Sequence, residues 1–231
     1  MDMPASVHVA IIDYGLGNLY SVARACSHVG MDPTVTNDRQ IMSQADLLIL
    51  PGVGAFGDAM DALHRLDLIS FIRDWALSGR PMMGICLGLQ LLLDESEEFG
   101  RYAGLGLIPG RVIRFADPVD ATGRRLKVPQ VGWNRIFRPN CAYKWEDTPL
   151  AGIEDSMFMY FVHSYHAIPE NLSAVMSVSR YGNMEFCSGL REKNIFAFQF
   201  HPERSGPDGI SIYRQCALWV MRYKTEGSYE R

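Results

Sequence analysis

The chain has 231 residues, 48% of them hydrophobic, and a formal net charge of −4, so one large core is expected and a nucleic-acid partner is not. Its five cysteines are scattered without a Cys-x-x-Cys pair, which argues against a disulfide framework and a zinc site and favours reduced thiols in the cytoplasm. No apolar run approaches eighteen residues and no signal-peptide pattern precedes the first strand, so neither a membrane span nor export is expected.

The first part of the chain alternates apolar strands with helical patterns. Strands are predicted at Val7–Ile12 and Leu47–Leu50, with a helix from about Leu19 to Val29 between them. A second helical stretch, from about Phe56 to Leu77, is expected to break near Asp67. This alternation predicts a parallel, doubly wound sheet, in which functional sites form at the carboxyl ends of the strands.

The segment Pro81–Gln90 is typical of a buried strand that turns through glycines into a helix, here predicted from Leu87 to about Leu93. Cys86 lies at the turn in a Gly-x-Cys-x-Gly pattern, and glycines allow such a tight turn around a nucleophile. A helix N-terminus also favours the thiolate form of a cysteine. A small buried thiol that fills a strand–helix corner is the alternative interpretation, and the turn alone leaves both open.

A glycine-flanked loop follows the strand that ends near Leu50. Such a loop can direct backbone N–H groups at an oxyanion beside the nucleophile. The N–H of Leu87 and one from Gly52 or Val53 are the candidates. A glycine-rich turn that caps a strand is the alternative for this loop alone.

The stretch from Leu105 to Leu190 contains shorter strands punctuated by Gly and Pro, which predicts antiparallel additions at one edge of the sheet. A last helix is predicted from Ile210 to about Arg222. Its apolar face carries Ile212, Tyr213, Cys216, Trp219 and Val220.

An aromatic and β-branched strand, Asn194–Phe200, leads directly to His201 and Glu203. A nucleophilic thiol needs a general base, and the base needs an acceptor that fixes its tautomer. The proline between these two residues holds them at a rigid strand exit. His163 and His166 rank below His201 as bases, since neither has a carboxylate placed to orient it.

Together these residues resemble the class I, or triad, glutamine amidotransferases, whose Cys-His-Glu triad has the same chain order. The resemblance covers nearly the whole chain and implies a flavodoxin-like α/β fold, with a doubly wound, mostly parallel sheet flanked by helices and antiparallel edge strands, in a single domain over residues 1–231. It implies a catalytic triad, an oxyanion hole and a glutamine-binding set. The implied triad consists of Cys86, His201 and Glu203. The implied oxyanion hole is formed by Gly52, Val53 and Leu87. The implied glutamine-binding residues are Gln90, Ser164 and Tyr165.

Four further segments are similar to the glutaminase subunits of imidazole glycerol phosphate synthase: Asp13–Leu19, Pro51–Phe56, Val131–Asn134 and Tyr160–Tyr165. This similarity implies hydrolysis of L-glutamine to glutamate and ammonia through a cysteinyl thioester. The ammonia would pass to a (β/α)8-barrel cyclase subunit, which forms imidazole glycerol phosphate and an aminoimidazole carboxamide ribotide in histidine biosynthesis. No cofactor is implied. The subunit interface and ammonia exit would include Tyr14, Asn18 and Arg204.

Two departures from the family pattern concern the partner. Arg204 stands where the family usually has lysine, and the pair Gln130–Val131 replaces the common histidine before Gly-Trp-Asn. They leave open a relative that feeds a sugar-amidating synthase of surface polysaccharide synthesis. A stand-alone cysteine hydrolase of γ-glutamyl substrates is the second alternative. For a coupled enzyme, we expect partner binding to turn the Gly52–Val53 peptide towards the oxyanion.

Overall fold

The structure is a computed structural model and describes residues 6–140 and 144–226. Its first half contains β1 (His8–Ile12), α1 (Leu19–His28), β2 (Asp32–Thr36), α2 (Arg39–Ser43), β3 (Leu47–Gly52), α3 (Phe56–Arg65), α4 (Leu68–Leu77), β4 (Met82–Cys86) and α5 (Leu87–Leu91). Its second half contains β5 (Glu95–Ser96), β6 (Tyr102–Ala103), β7 (Gly110–Arg114), β8 (Gln130–Arg135), β9 (Phe158–His163), β10 (Tyr165–Pro169), β11 (Val175–Tyr181), β12 (Met184–Glu192), β13 (Ile195–Phe198) and α6 (Gly206–Glu226). Short 3-10 turns lie at Leu172–Ala174 and Pro202–Arg204.

Eleven strands form one mixed sheet in the order β2-β1-β3-β4-β13-β12-β10-β7-β5-β6, with β11 paired to β12. The strands from β2 to β13 are mutually parallel. From β13 onwards, β12, β10, β7 and β11 pair in antiparallel fashion. This confirms the predicted class, an α/β sheet flanked by helices with antiparallel strands added at one edge, although the antiparallel half is more extensive than a fringe. Strands β8 and β9 form a separate antiparallel ribbon.

The core lies on both faces of the sheet because successive strand residues point to opposite sides. In β1, Ala10 and Ile12 pack on one face, under α3, α4 and α5. Val9 and Ile11 pack on the other face, under α1 and α6. The inner parallel strands β1, β3, β4 and β13 are therefore almost continuously apolar, as their sequence suggested.

Most of the predicted elements are confirmed. The helical stretch breaks as expected at Asp67, which has a φ of 54° between α3 and α4. The last helix is longer than predicted at both ends. Strand β2 and helix α2 were not predicted, because β2 is a largely exposed edge strand that begins Asp32-Pro33 and lacks an apolar pattern.

Four of the cysteines are buried free thiols, namely Cys26, Cys86, Cys187 and Cys216, whereas Cys141 lies outside the described residues. Within residues 6–140 and 144–226, no helix has the length and apolar character needed to cross a membrane.

Candidate active site

Three strands of the parallel half end side by side, and each delivers a predicted site residue. Gly52, the last residue of β3, is the register partner of Cys86, the last residue of β4. On the other side of β4, Phe198 of β13 pairs with Ile85, so His201 follows a few residues beyond the same sheet edge. The topology therefore brings the oxyanion loop, the cysteine and the histidine together.

Cys86 has the backbone conformation of a strained nucleophile turn. Its φ of 55° and ψ of −107° are unusual for a residue with a side chain. A Cβ at Gly88 would overlap the carbonyl oxygen of Leu50, and a Cβ at Gly84 would lie 3.1 Å from the backbone of Gly88. The two glycines thus allow α5 to start directly against the strands, which leaves Cys86 at the first turn of the helix.

His201 and Glu203 form a buried pair. The imidazole Nδ1 lies 2.8 Å from Oε1 of Glu203, and the side chains are 3% and 1% exposed. The backbone of this segment is fixed as well, since the His201 N–H donates to Tyr160 O at 2.9 Å and the Ser205 hydroxyl donates to His201 O at 2.7 Å. Glu203 therefore orients the ring and selects its Nδ1–H tautomer.

The electrostatics of His201 favour the protonated ring. Burial alone would lower its pKa, but the Cys86 thiolate and then Glu203 outweigh this and raise the pKa to about 10. Since Nδ1 is taken by Glu203, Nε2 is the nitrogen left to interact with Cys86; it otherwise has no partner among the described residues. The arrangement supports a thiolate–imidazolium pair.

The two other histidines of this region are differently placed. His163 Nδ1 lies 2.8 Å from the Tyr165 carbonyl oxygen, and burial lowers its pKa to about 3, so it is a neutral donor. His166 stacks on Phe115 with ring centroids 4.8 Å apart, and burial lowers its pKa too. Both side chains are buried, and among the described residues neither ring is hydrogen-bonded to a carboxylate.

A cleft of about 310 Å³ opens over Cys86. Of the predicted residues, it is lined by Val53, Cys86, Leu87, Gln90, Ser164 and Tyr165. It is also lined by Gly54, Val162 and His163, which lie in segments that the sequence already singled out, and by two residues that sequence reasoning missed, Glu98 and Pro129. Gly52 lies just behind this wall, and a side chain there would run into the Tyr14 hydroxyl and Leu87.

Glu98 is the most consequential of the missed residues. Its carboxylate accepts a 2.7 Å hydrogen bond from the N–H of Phe56, the first residue of α3, whose N-cap Ala55 offers no side-chain cap. Burial raises the pKa of Glu98, although the Phe56 hydrogen bond opposes this. In the sequence Glu98 belongs to a Ser-Glu-Glu run that is typical of a solvated surface, so nothing marked it.

Gln90 is buried, and its side-chain nitrogen makes two hydrogen bonds. Its Nε2 donates to the Tyr165 carbonyl at 2.9 Å and to Oε1 of Gln199 at 3.0 Å. Gln199 was not among the predicted site residues.

The three residues expected at the interface occupy different environments. Tyr14 is only 3% exposed, and its hydroxyl donates to Pro51 O at 2.7 Å, so its side chain lies inside the protein and not on the surface. Asn18 is half-buried at the start of α1. Arg204 is exposed and places its guanidinium 4.3 Å from the centre of the Tyr160 ring.

The β8–β9 ribbon carries five apolar side chains beside the cleft, three of them exposed and two half-buried. Register pairs Val131 with Val162 and Trp133 with Tyr160 on its outer side, and the next pair adds Phe158. Val131 and Trp133 are 60% and 56% exposed. These five residues are called the aromatic face below; large exposed apolar patches of this kind usually mark interaction sites.

The sequence is similar to known proteins along most of its length. The family model for glutamine amidotransferase class-I matches residues 10–219. "Imidazole glycerol phosphate synthase subunit HisH" of Syntrophotalea carbinolica is 46% identical over 89% of this chain and 97% of its own. The protein of the same name from Aquifex aeolicus is 44% identical over 89% of this chain and 94% of its own.

Solved structures share the fold at low sequence identity. PurLQS from Thermotoga maritima matches with a TM-score of 0.68 and 19% identity, over 95% of this chain and 100% of that one. The glutaminase domain of Trypanosoma brucei CTPS with bound acivicin matches with a TM-score of 0.60 and 14% identity, over 94% of each chain. From the extent of the family match and the identity to these relatives, the chain belongs to the class-I glutamine amidotransferase family.

Proposed function

We propose that this chain is the glutaminase subunit of an imidazole glycerol phosphate synthase and uses Cys86, His201 and Glu203 as its catalytic triad. The observation that carries the proposal is the buried His201–Glu203 pair at the same sheet edge as the strained Cys86 turn. The name and the 44–46% identity of the relatives support the choice of synthase. One domain over the whole chain suffices, since a single sheet supports the cysteine, the histidine and the oxyanion loop.

The reaction begins when the Cys86 thiolate attacks the side-chain carboxamide carbon of glutamine. The tetrahedral oxyanion is held by the Leu87 N–H and by an N–H of the Gly52–Val53 loop. The imidazolium of His201 then protonates the departing ammonia, leaving a γ-glutamyl thioester on Cys86. Water, activated by the now neutral His201, hydrolyses the thioester and releases glutamate.

Glutamine also presents an α-ammonium and an α-carboxylate, which the cleft must recognise. Glu98 supplies a carboxylate in the cleft wall and is the group suited to the α-ammonium. The side-chain NH2 group of Gln90 donates both of its hydrogen bonds to protein atoms. Its side-chain oxygen is therefore the atom that can accept a hydrogen bond from the substrate. Ser164 and Tyr165 complete the opposite wall.

Ammonia released into water near neutral pH becomes mostly ammonium, which is not nucleophilic, so a partner must receive it directly. We assign the docking surface for the partner to the aromatic face together with Arg204. This surface is largely exposed and apolar, and it is continuous with the cleft through Val162. The partner would be the (β/α)8-barrel cyclase subunit. Asn18 would lie at the rim of this surface, near the ammonia exit.

The test is glutamate release from L-glutamine by the purified chain, alone and with a histidine-pathway cyclase subunit plus its ribulosyl acceptor substrate. Cys86→Ala is the blank. Strong stimulation by cyclase and acceptor, absent in the blank, is expected. Rapid release without cyclase would instead favour a stand-alone hydrolase, and a slow rate that cyclase fails to raise would favour a different synthase.

A further inference from the structure

We infer that Gln199 is a further catalytic residue, whose side-chain amide donates to the Cys86 sulfur and links the nucleophile to the glutamine-binding residue Gln90. The inference deepens the proposed function and rests on it, because it takes Cys86 as the nucleophile. Three observations support it: the position of Gln199, the direction of its hydrogen bonds, and the two groups that approach the Cys86 sulfur, the Gln199 amide and the Val162 carbonyl.

Gln199 is held beside Cys86 by the sheet. Phe198 is the register partner of Ile85, so the next residue on each strand, Gln199 and Cys86, are neighbours. The Gln199 N–H donates to Ser188 O at 3.0 Å, which fixes the backbone, and the side chain is completely buried. Its Nε2 lies 3.7 Å from the Cys86 sulfur, within reach of an N–H···S hydrogen bond.

The direction of the amide is set by a chain of donors and acceptors. The Tyr165 carbonyl can only accept, so the end of Gln90 that faces it at 2.9 Å must be the NH2 group. The second hydrogen of that group goes to Gln199 at 3.0 Å, which must present its oxygen there. The NH2 end of Gln199 is thereby turned to the sulfur.

This donor counteracts a contact that favours the neutral thiol. The Cys86 S–H can reach the Val162 carbonyl at 3.9 Å, and that contact exists only while the sulfur carries its proton. The Gln199 amide, in contrast, bonds more strongly to a thiolate, since hydrogen bonds to charged groups are the stronger ones. Gln199 thus assists His201 in holding the sulfur in its reactive form.

The same side chain couples this effect to substrate binding. By accepting from Gln90, Gln199 keeps the oxygen of Gln90 available for glutamine. Loss of Gln199 should therefore impair both thiolate formation and the orientation of Gln90, whereas a residue that only fills space would impair neither specifically.

The test measures alkylation of Cys86 by iodoacetamide as a function of pH, in a Cys141→Ser background, with the modified peptide quantified by mass spectrometry. In Gln199→Met the donor is lost at similar volume, and we expect alkylation at pH 7 to slow about tenfold, with its pH midpoint moved upwards. In Gln199→Glu a carboxylate faces the sulfur, and the pH midpoint of alkylation should move upwards further than in Gln199→Met. His201 and Tyr14, which also interact electrostatically with Cys86, are unchanged in both variants.

Gln130→Met is the matched control, since Gln130 is also a buried glutamine, at 3% exposure, and should leave the midpoint unchanged. Unaltered midpoints in folded Gln199→Met and Gln199→Glu would overturn the inference. Should neither variant fold, the unmutated chain gives the answer: the Gln199 side-chain amide resonances must shift when Cys86 ionises, and invariance would refute the inference. Because alkylation needs neither glutamine nor cyclase, its result is independent of whether the proposed glutaminase activity is found.

Discussion

The Tyr14 hydroxyl donates a 2.7 Å hydrogen bond to the carbonyl oxygen of Pro51, inside the protein and directly behind Gly52. The segment that carries Tyr14 runs alongside the same loop, since a Cβ added at Gly17 would lie 3.5 Å from the Pro51 ring and one added at Gly54 would lie 3.9 Å from Leu16. A displacement of this segment would therefore be transmitted to the peptides that are proposed to hold the oxyanion. The Tyr14 side chain is thus a buried contact of this loop and not a surface contact.

Tyr14→Phe should loosen the Pro51–Gly52 backbone. This hydrogen bond should stabilise a resting orientation of the loop by about 1 kcal/mol. Its removal should therefore raise glutaminase turnover without cyclase about fivefold and lower the factor by which cyclase stimulates turnover. Tyr223→Phe is the control, because that hydroxyl also donates to a backbone carbonyl, of Gly79, far from the cleft. A basal rate that stays constant in Tyr14→Phe would show that this hydrogen bond does not restrain the loop.

Glu98→Gln should raise the KM for glutamine by about 10- to 100-fold with a smaller change in kcat, because a charge-assisted hydrogen bond is lost from the ground state and the transition state alike. The side chain that replaces Glu98 keeps an oxygen that can accept the hydrogen bond from the N–H of Phe56, so the fold should persist. Steady-state kinetics of the complex measure the effect. The neighbouring exposed Glu97→Gln is the control, and an equal KM change in both variants would contradict the assignment.

The pH dependence gives a second signature of Glu98. Since burial raises its pKa, the carboxyl takes up a proton at a higher pH than an exposed glutamate does. The wild-type KM should accordingly rise as the pH falls through that range, whereas the Glu98→Gln KM should stay flat there.

Trp133→Ala should weaken the complex with the cyclase by about 30-fold or more, the loss expected for a central aromatic anchor of about 2 kcal/mol. Titration calorimetry would measure the Kd, and cyclase-free turnover should be unchanged. Leu77→Ala serves as control, as this leucine is 78% exposed at the end of α4, just before β4 begins and so towards the amino ends of the parallel strands, away from the cleft. Equal losses in the two variants would place the docking surface elsewhere.

The sequence predicted the parallel half of the fold well because both signals it used are local. Continuous apolar strands such as Leu47–Leu50 and the glycines around Cys86 leave few alternatives to a buried strand and a tight turn. Strand β2 was not predicted, because its stability comes from pairing with β1 along its full length. This is a tertiary effect that a segment beginning Asp32-Pro33 does not indicate by its own sequence.

The site residues that were missed depend on long-range contacts. Glu98, in the cleft wall, accepts a hydrogen bond from the N–H of Phe56, 42 residues away in sequence. Gln199 gains its significance from Gln90, 109 residues away. Neither relation leaves a periodic or motif-like trace, so pattern reasoning assigns such polar side chains to solvent.

The charge state of His201 should depend more on Cys86 than on Glu203. Its pKa is high although burial opposes the positive charge, with the Cys86 thiolate as the larger favourable influence and Glu203 as the smaller. Cys86→Ala should therefore lower the pKa of His201 by roughly one to three pH units, and by more than Glu203→Gln does. The sign follows because each variant removes a negative partner and leaves the desolvation of the imidazolium in place. NMR titration of the imidazole nitrogens in the three proteins would measure this order. A larger decrease in Glu203→Gln than in Cys86→Ala would mean that Glu203, and not a thiolate–imidazolium pair, sets the protonation of His201.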